Sequence, residues 1–282
     1  MDAVPAVGLA NTGGICWLAV VLQALASCPS VRAIAAGAAP ADLTAVGSAL
    51  ARALAPPALA VDAADQVARA LRASATMEDT ANQCAHEGLG LLLAAAWRGA
   101  APNPFLGAFV GRVRAGVYAA DRRLLRPPVE QDETVFDLSD TDAATPAEFA
   151  GLLRRRLSPV DGPLAADGAA WRLYQLVRAP RVLVVLFDCF GRARATPPRA
   201  RPFPVAFALD ALRFRLVAQI EYAGSGRSGH YWGRFVRRSD SRSATERAAE
   251  LAVCRIDDAA VAPVPGFAPT IHTFLLVYHW IE

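Results

Sequence analysis

Cys16 is the residue of this chain best placed to act as a nucleophile. It stands where a short loop, Thr12-Gly13-Gly14, meets the apolar stretch CWLAVVLQALA. A helix that begins there offers the sulfur unpaired N–H groups and the positive end of its dipole. Both favour thiolate over thiol, and the thiolate is the attacking species. Thr12, Gly13 and Gly14 are expected to let the backbone pack close behind the sulfur. Asn11, five residues earlier, can bring an amide N–H towards an oxyanion developing on an attacked carbonyl. A free cysteine at a helix start is also an ordinary packing residue. What separates the two readings is the set of motifs that follows.

Gly8, Leu9, Asn11, Gly13, Cys16, Trp17, Leu22 and Gln23 form a box of the type Gly-Leu-x-Asn-x-Gly-x-x-Cys-aromatic, followed by Leu-Gln. Gln83-Cys84-Ala85-His86-Glu87-Gly88-Leu89, Ala179-Pro180-Arg181-Val182-Leu183, Phe203-Pro204, Ser228-Gly229-His230-Tyr231, Ile256-Asp257-Asp258 and Phe274-Leu275-Leu276-Val277-Tyr278 follow in order. In types and sequence these boxes resemble the ubiquitin-specific proteases, a papain-like family, from Gly8 to Tyr278. The resemblance implies an α+β papain-like fold in a single catalytic domain, residues 1–282. A helical thumb would span 1–101 and a β-rich palm 102–282, with a cleft between them. The family's zinc-bearing fingers have no cysteine pair here, since Ala119 and Arg122 stand at the corresponding positions. The expectation is a reduced fingers region without zinc, and no metal or organic cofactor.

Thiol cleavage of a peptide or isopeptide bond needs a nucleophile, a base that holds its proton and returns it to the leaving amine, and a group that orients the base. The resemblance assigns these to Cys16, His230 and Asp257, with Asn11 and Asp258 assisting at the oxyanion. Imidazole exchanges protons near neutral pH, as the second role requires. The order of Asp257 and Asp258 stays open at this point. The same resemblance places Gln83, Glu87, Gly229 and Tyr231 along the channel for the modifier's C-terminal tail, and makes His86 structural. His272 and His279, with no cysteine or carboxylate at ligand spacing, read as structural too.

The expected activity is hydrolysis of the bond after the C-terminal glycine of ubiquitin, through a thioester intermediate. The partner would be ubiquitin or a ubiquitin-conjugated protein. Several residues depart from the family pattern: Cys84 replaces an aspartate, Gly88 a phenylalanine, Ala19-Val20 an Asn-Ser pair and Asp188-Cys189 a basic pair. Cys84 leaves open the same chemistry on another ubiquitin-like modifier, while the other departures suggest a divergent member. An inactive ubiquitin-binding adaptor and a papain-like protease acting on a polyprotein remain as readings from other classes.

Composition bounds the rest. The chain has 282 residues, 54% of them hydrophobic, enough for a sizeable buried core. A net charge of +3 does not call for a nucleic-acid partner. The apolar run Ile15 to Ala26 is broken by Gln23 and too short to span a bilayer. With no basic segment ahead of it, a cytoplasmic or nuclear monomer is expected, without a membrane. The five cysteines are widely spaced and form no Cys-x-x-Cys pair, which suggests neither disulfides nor zinc. All 29 basic residues are arginine. Abundant Ala, Arg and Pro beside scarce Asn and Ile point to coding bias as the origin.

The elements that must position these groups read as follows. Cys16–Ser27 is a helix buried on most sides, ended by Pro29. Two or three short helices occupy Val31–Ala75, and another covers Asp79–Trp97, packed on the first. Strands are expected at Phe109–Tyr118, Thr134–Leu138, Val182–Phe187, Arg213–Tyr222, Tyr231–Arg237, Val253–Asp257 and Ile271–Ile281. Thr145–Leu157 is a helix with Thr145 as N-cap, Pro146 in its first turn and Arg154-Arg155-Arg156 at its end. Ala223–Gly229 is a flexible loop opening onto His230, suited to a mobile lid. Arg192–Arg201 and Ser239–Glu250 read as exposed and polar.

Overall fold

A computed structural model describes residues 7–55, 59–77, 83–138, 143, 145–159, 170–187, 200–225, 228–238 and 251–281. The expected helix start at Asp79, the pair Asp188-Cys189, residues 192–199, Gly226-Arg227 and the segment 239–250 lie outside these. The helices α1 (Cys16–Ala26), α2 (Pro29–Gly37), α3 (Ala45–Leu54), α4 (Ala63–Ala73), α5 (Ala85–Ala95) and α6 (Pro104–Phe109) come first. Then follow β1 (Gly111–Ala119), β2 (Leu124–Glu133), β3 (Val135–Asp137), α7 (Pro146–Arg154), β4 (Arg155–Pro159), β5 (Ala170–Arg178) and β6 (Val182–Leu186). The chain continues through β7 (Ala206–Leu209), β8 (Leu212–Ser225), β9 (Ser228–Arg238), β10 (Leu251–Asp257), β11 (Ala260–Val264) and β12 (Thr273–Ile281). The result is an α+β fold with two sheets.

The larger sheet runs β11-β10-β9-β8-β12-β6-β3, with β7 on β8. Its centre is buried on both faces, and period-2 geometry divides its side chains between two cores. On β6, Val182, Val184 and Leu186 join the helical core around α1, while Leu183 and Val185 join a second core with Phe149 of α7. On β12, Phe274, Leu275 and Val277 go to the first core, Leu276 and Tyr278 to the second. This is why VLVVLF and FLLVY read as unbroken apolar runs rather than alternating ones. Every residue of α1 is buried, which explains its lack of a polar face. Among the described residues no single helix is long and apolar enough to cross a membrane.

Several boundaries differ from the sequence reading. Pro29 does not merely end α1; it opens α2 with Cys28 as N-cap, because proline suits the first helical turn. The helical region continues through α6, capped by the Asn103 side chain, so strands begin at Gly111 rather than Phe109. The arginine run is split: Arg154 closes α7 and pairs with Asp210 at 3.1 Å, whereas Arg155 and Arg156 start β4. Arg156 lies over the Tyr174 ring, 4.5 Å from its centroid, and donates to the Asp137 carbonyl at 2.7 Å. Thr145 caps α7 as expected, in a reciprocal box with Glu148.

A second sheet, β2-β1-β5-β4, was only partly legible. Its strand β2 contains Pro127-Pro128, a poor strand signal, which the ladder tolerates because β2 is an edge and breaks register there. Ala119 lies at the end of β1 and Arg122 in the tight turn that follows.

The expected loop Ala223–Gly229 is instead paired strand as far as it is described. Ala223 pairs with His230, Gly224 with Gly229 and Ser225 with Ser228. Backbone ladders need no side chains, so the glycines do not prevent pairing. At Gly229 the Tyr222 ring covers the position: a Cβ would sit 2.1 Å from its hydroxyl, so a side chain there would make that ring move.

Candidate active site

The loop before α1 is fixed by backbone bonds to distant parts of the chain. Leu9 donates to the Asp258 carbonyl at 3.0 Å and Ala10 to that of Val61 at 2.9 Å. Gly8 has no room for a side chain, since a Cβ would lie 2.3 Å from the Ala259 carbonyl oxygen. The turn between β10 and β11 is thus seated directly on the approach to Cys16. Gly13 and Gly14 both adopt left-handed φ, +73° and +78°. At Gly13 the role differs from the expected one: nothing lies within 4 Å of a Cβ there, so conformation rather than close packing asks for glycine.

Cys16 opens α1 and is 5% exposed. Ile15 supplies no side-chain cap, which leaves the first N–H groups of the helix to the sulfur. Burial raises the thiol's pKa from its ordinary value, and the Asp258 charge adds to this. The backbone N–H groups of Tyr231, Trp17 and Cys16 itself oppose the shift without reversing it. The helix start therefore acts in the expected direction, but desolvation is the larger effect.

The thiol touches β9 at Tyr231, one residue past His230. The imidazole Nε2 of His230 lies 2.6 Å from Asp257 Oδ1 and 4.0 Å from Asp258 Oδ2. That contact leaves Nδ1 for exchange with another group. Asp257 also receives Arg255 at 3.3 Å through its second oxygen, and Trp232 stacks on the imidazole at 6.0 Å between centroids. Asp258 leaves the strand with φ +50°, a conformation aspartate tolerates better than most residues, and turns towards Asn11. The Asn11 amide donates to Asp258 Oδ2 at 3.2 Å. Of the two aspartates, Asp257 faces the imidazole and Asp258 faces Asn11.

His230, Asp257 and Asp258 bring three potential metal-ligand atoms within 4.8 Å of one another. The direct 2.6 Å bond between imidazole and carboxylate occupies the space an ion would need between those two. The arrangement fits a hydrogen-bonded pair better than a metal centre.

The expected tail-binding residues lie at two places. Glu87 is exposed in the first turn of α5, and Gln83 is half-buried just before it. Gly229 lies under Tyr222, as described. Tyr231 is buried at 4% exposure; its hydroxyl receives the Ala85 N–H at 3.3 Å and donates to Cys84 Sγ at 3.9 Å. It ties β9 to α5. Cys84, in the place of the family's aspartate, lies 2.9 Å from His86 Nδ1, which gives His86 the structural partner expected for it. Gly88 is explained by Trp17, whose ring would lie 2.2 Å from a Cβ there. His279 bonds Ser30 at 3.0 Å and His272 packs edge-on against Trp232.

Sequence reasoning missed Arg237 and gave Gln23 only a motif match. Arg237 is fully buried and donates to Gln23 and Ser27 of the α1 end. The signal was available: Tyr231, Phe235 and Arg237 share one side of an alternating strand, and the first two are apolar.

Comparison with known proteins bears on the fold. No family model and no curated protein sequence matches the chain. Solved structures do. The SAGA DUB module of Ubp8, Sgf11, Sus1 and Sgf73 bound to monoubiquitin matches with TM-score 0.72 at 12% identity, over 98% of this chain and 69% of that one. The yeast SAGA DUB module with an Sgf73 variant matches with TM-score 0.70 at 13% identity, over 98% and 69%. The module bound to ubiquitin aldehyde matches with TM-score 0.69 at 13% identity, over 98% and 70%. The chain has the ubiquitin-specific protease fold. Coverage of 98% means that this fold includes both sheets and the helical region, with no large part of the chain left over. At such low identity the likeness is one of architecture. The chemistry must be argued from the residues that the ubiquitin-specific protease fold brings together here.

Proposed function

We propose that the chain is a deubiquitinating cysteine protease, with Cys16 as nucleophile, His230 as acid and base, and Asp257 as the group orienting His230. The observation that carries this is the 2.6 Å His230–Asp257 bond on the strand whose next residue, Tyr231, donates its N–H to the Cys16 thiol. The site would occupy the cleft between a thumb of residues 1–101 and a palm of 102–282.

The reaction starts from a protonated thiol, since burial dominates at Cys16. The Cys16 proton passes to His230 Nδ1 as sulfur attacks the carbonyl of the modifier's C-terminal glycine. The carbonyl oxygen takes the negative charge and accepts from the Asn11 amide, which leaves Asp258 to meet it. The tetrahedral centre collapses, the C–N bond breaks, and the lysine amine leaves with the His230 proton. The acyl group remains on Cys16 as a thioester. Water then gives a proton to His230 and attacks, releasing the carboxylate and the thiol. Asp257 holds the imidazole tautomer throughout. These steps need no metal ion or organic cofactor. Glu87 offers a carboxylate to a basic tail.

Cys84 favours a second reading, the same chemistry on a different ubiquitin-like modifier. Its thiol bonds His86 and Tyr231 and supplies no carboxylate to the tail. An adaptor without turnover is the third reading.

Ubiquitin carrying a C-terminal electrophile tests these readings, with Cys16→Ala alongside. A Cys16-dependent adduct is expected. An adduct only with another modifier's probe selects the second reading. No adduct with any probe, from folded protein that binds ubiquitin, selects the adaptor.

A further inference from the structure

Helix α1 and strand β9 run side by side in the same direction and touch at both ends. At the start, the Tyr231 N–H meets Cys16. At the other end, Arg237 reaches the last turn of α1. One guanidinium nitrogen donates to Ser27 Oγ and, at 2.8 Å, to the Val236 carbonyl. The other donates to the Gln23 carbonyl at 3.1 Å and to the Gln23 side-chain oxygen. The Gln23 amide continues the chain, donating to the Val7 carbonyl at 2.6 Å, just before the loop that carries Asn11. Arg237 and Gln23 together thus join the nucleophile's helix, the base's strand and the approach to the oxyanion donor.

We propose that Arg237, acting through Gln23, is a positioning residue that sets Cys16 in register with His230; this rests on the reading of Cys16 and His230 as nucleophile and base.

Two features separate this role from ordinary packing. First, the described hydrogen bonds of the cation all go to neutral oxygens. A buried ion compensated in this way is a poor device for stability, and an apolar replacement of similar volume is often neutral or better. Burial pushes its pKa down to about 9, still protonated at neutral pH, so the charge is retained at that cost. Second, the acceptors lie at the carbonyl end of α1, where a cation complements the helix dipole. An 11-residue helix is rigid over about 16 Å, so a shift at Gln23 is transmitted to Cys16. Misplacement of a reacting group by about 1 Å can cost about a hundredfold in rate.

The test compares Arg237→Met and Arg237→Lys with the wild type. Turnover is read as kcat and KM on a ubiquitin C-terminal fluorogenic amide. Alkylation of Cys16 by chloroacetamide, followed by peptide mass spectrometry across pH, gives a second readout that needs no ubiquitin. For folded Arg237→Met, kcat is expected to fall about tenfold or more with KM within about twofold, since alignment rather than binding is lost. Cys16 alkylation at neutral pH falls in step, and Arg237→Lys recovers part of both. Unchanged kcat and alkylation in a folded Arg237→Met overturn the proposal and leave Arg237 as packing. Should Arg237→Met fail to fold, Gln23→Met takes its place, with the same expected losses and the same overturning result. A wild type that hydrolyses no ubiquitin substrate sinks the functional reading alone, because the alkylation comparison still decides the role of Arg237.

Discussion

His230 Nε2 is 2.6 Å from Asp257 and 4.0 Å from Asp258, so two adjacent carboxylates stand in unequal relation to one imidazole. Asp257→Asn is expected to lower kcat about a hundredfold or more, since the imidazole loses the partner that fixes its tautomer. Asp258→Asn keeps the His230 partner and is expected to cost less. Equal losses in the two variants, measured as kcat on one substrate, would contradict the assignment.

The Asn11 amide is tied to Asp258 before any substrate arrives. Asn11→Ala is expected to reduce kcat by about 10²–10³ with little change in KM, the signature of a donor used only in the transition state. A rise in KM at constant kcat would make Asn11 a binding residue instead.

Gly88 faces Trp17 with no space between them. Gly88→Ala is expected to destabilise the fold by about 1–3 kcal/mol through overpacking. Urea denaturation measures this, and Trp17→Leu in the same chain should recover part of the loss.

Acid is expected to weaken the fold through His279 and His86. Burial lowers both pKa values below the ordinary 6.5, and Arg181 adds to the effect at His279. Between the folded and unfolded values the unfolded chain binds more protons, so stability rises with pH there. It is therefore full above about pH 6.5 and lost as pH falls through the folded values. Melting temperature measured from pH 7.5 to 5 should decline, and His279→Gln should flatten the decline. A wild-type curve that is level or rises on acidification would exclude the effect.

The sequence carried most of what local chemistry can carry. Cys16 at a helix start, Thr145 and Pro146 at another, and the apolar strands β6 and β12 were legible because each depends on a short, repeated pattern. The motif order pointed to Cys16, His230 and Asp257; the structure brings His230 against Asp257 and the neighbouring Tyr231 N–H against Cys16. What the sequence could not show was contact. Trp17 explains Gly88, and Tyr222 explains Gly229, only once α5 and β8 are packed. β2 was hidden by its own prolines, harmless at an edge. Arg237 looked like one basic residue among many until its side of β9 was seen lying on α1.

The division of β12 between two cores has a consequence for how the protein is made. β12 pairs with β8 and β6, and its His279 reaches back 249 residues to Ser30. Neither core can close before this strand leaves the ribosome. Pairings between such distant parts of a chain are slow to form. The Cys16 helix therefore gains its sheet partners only through contacts between parts of the chain more than 200 residues apart, and this makes folding of the two cores interdependent.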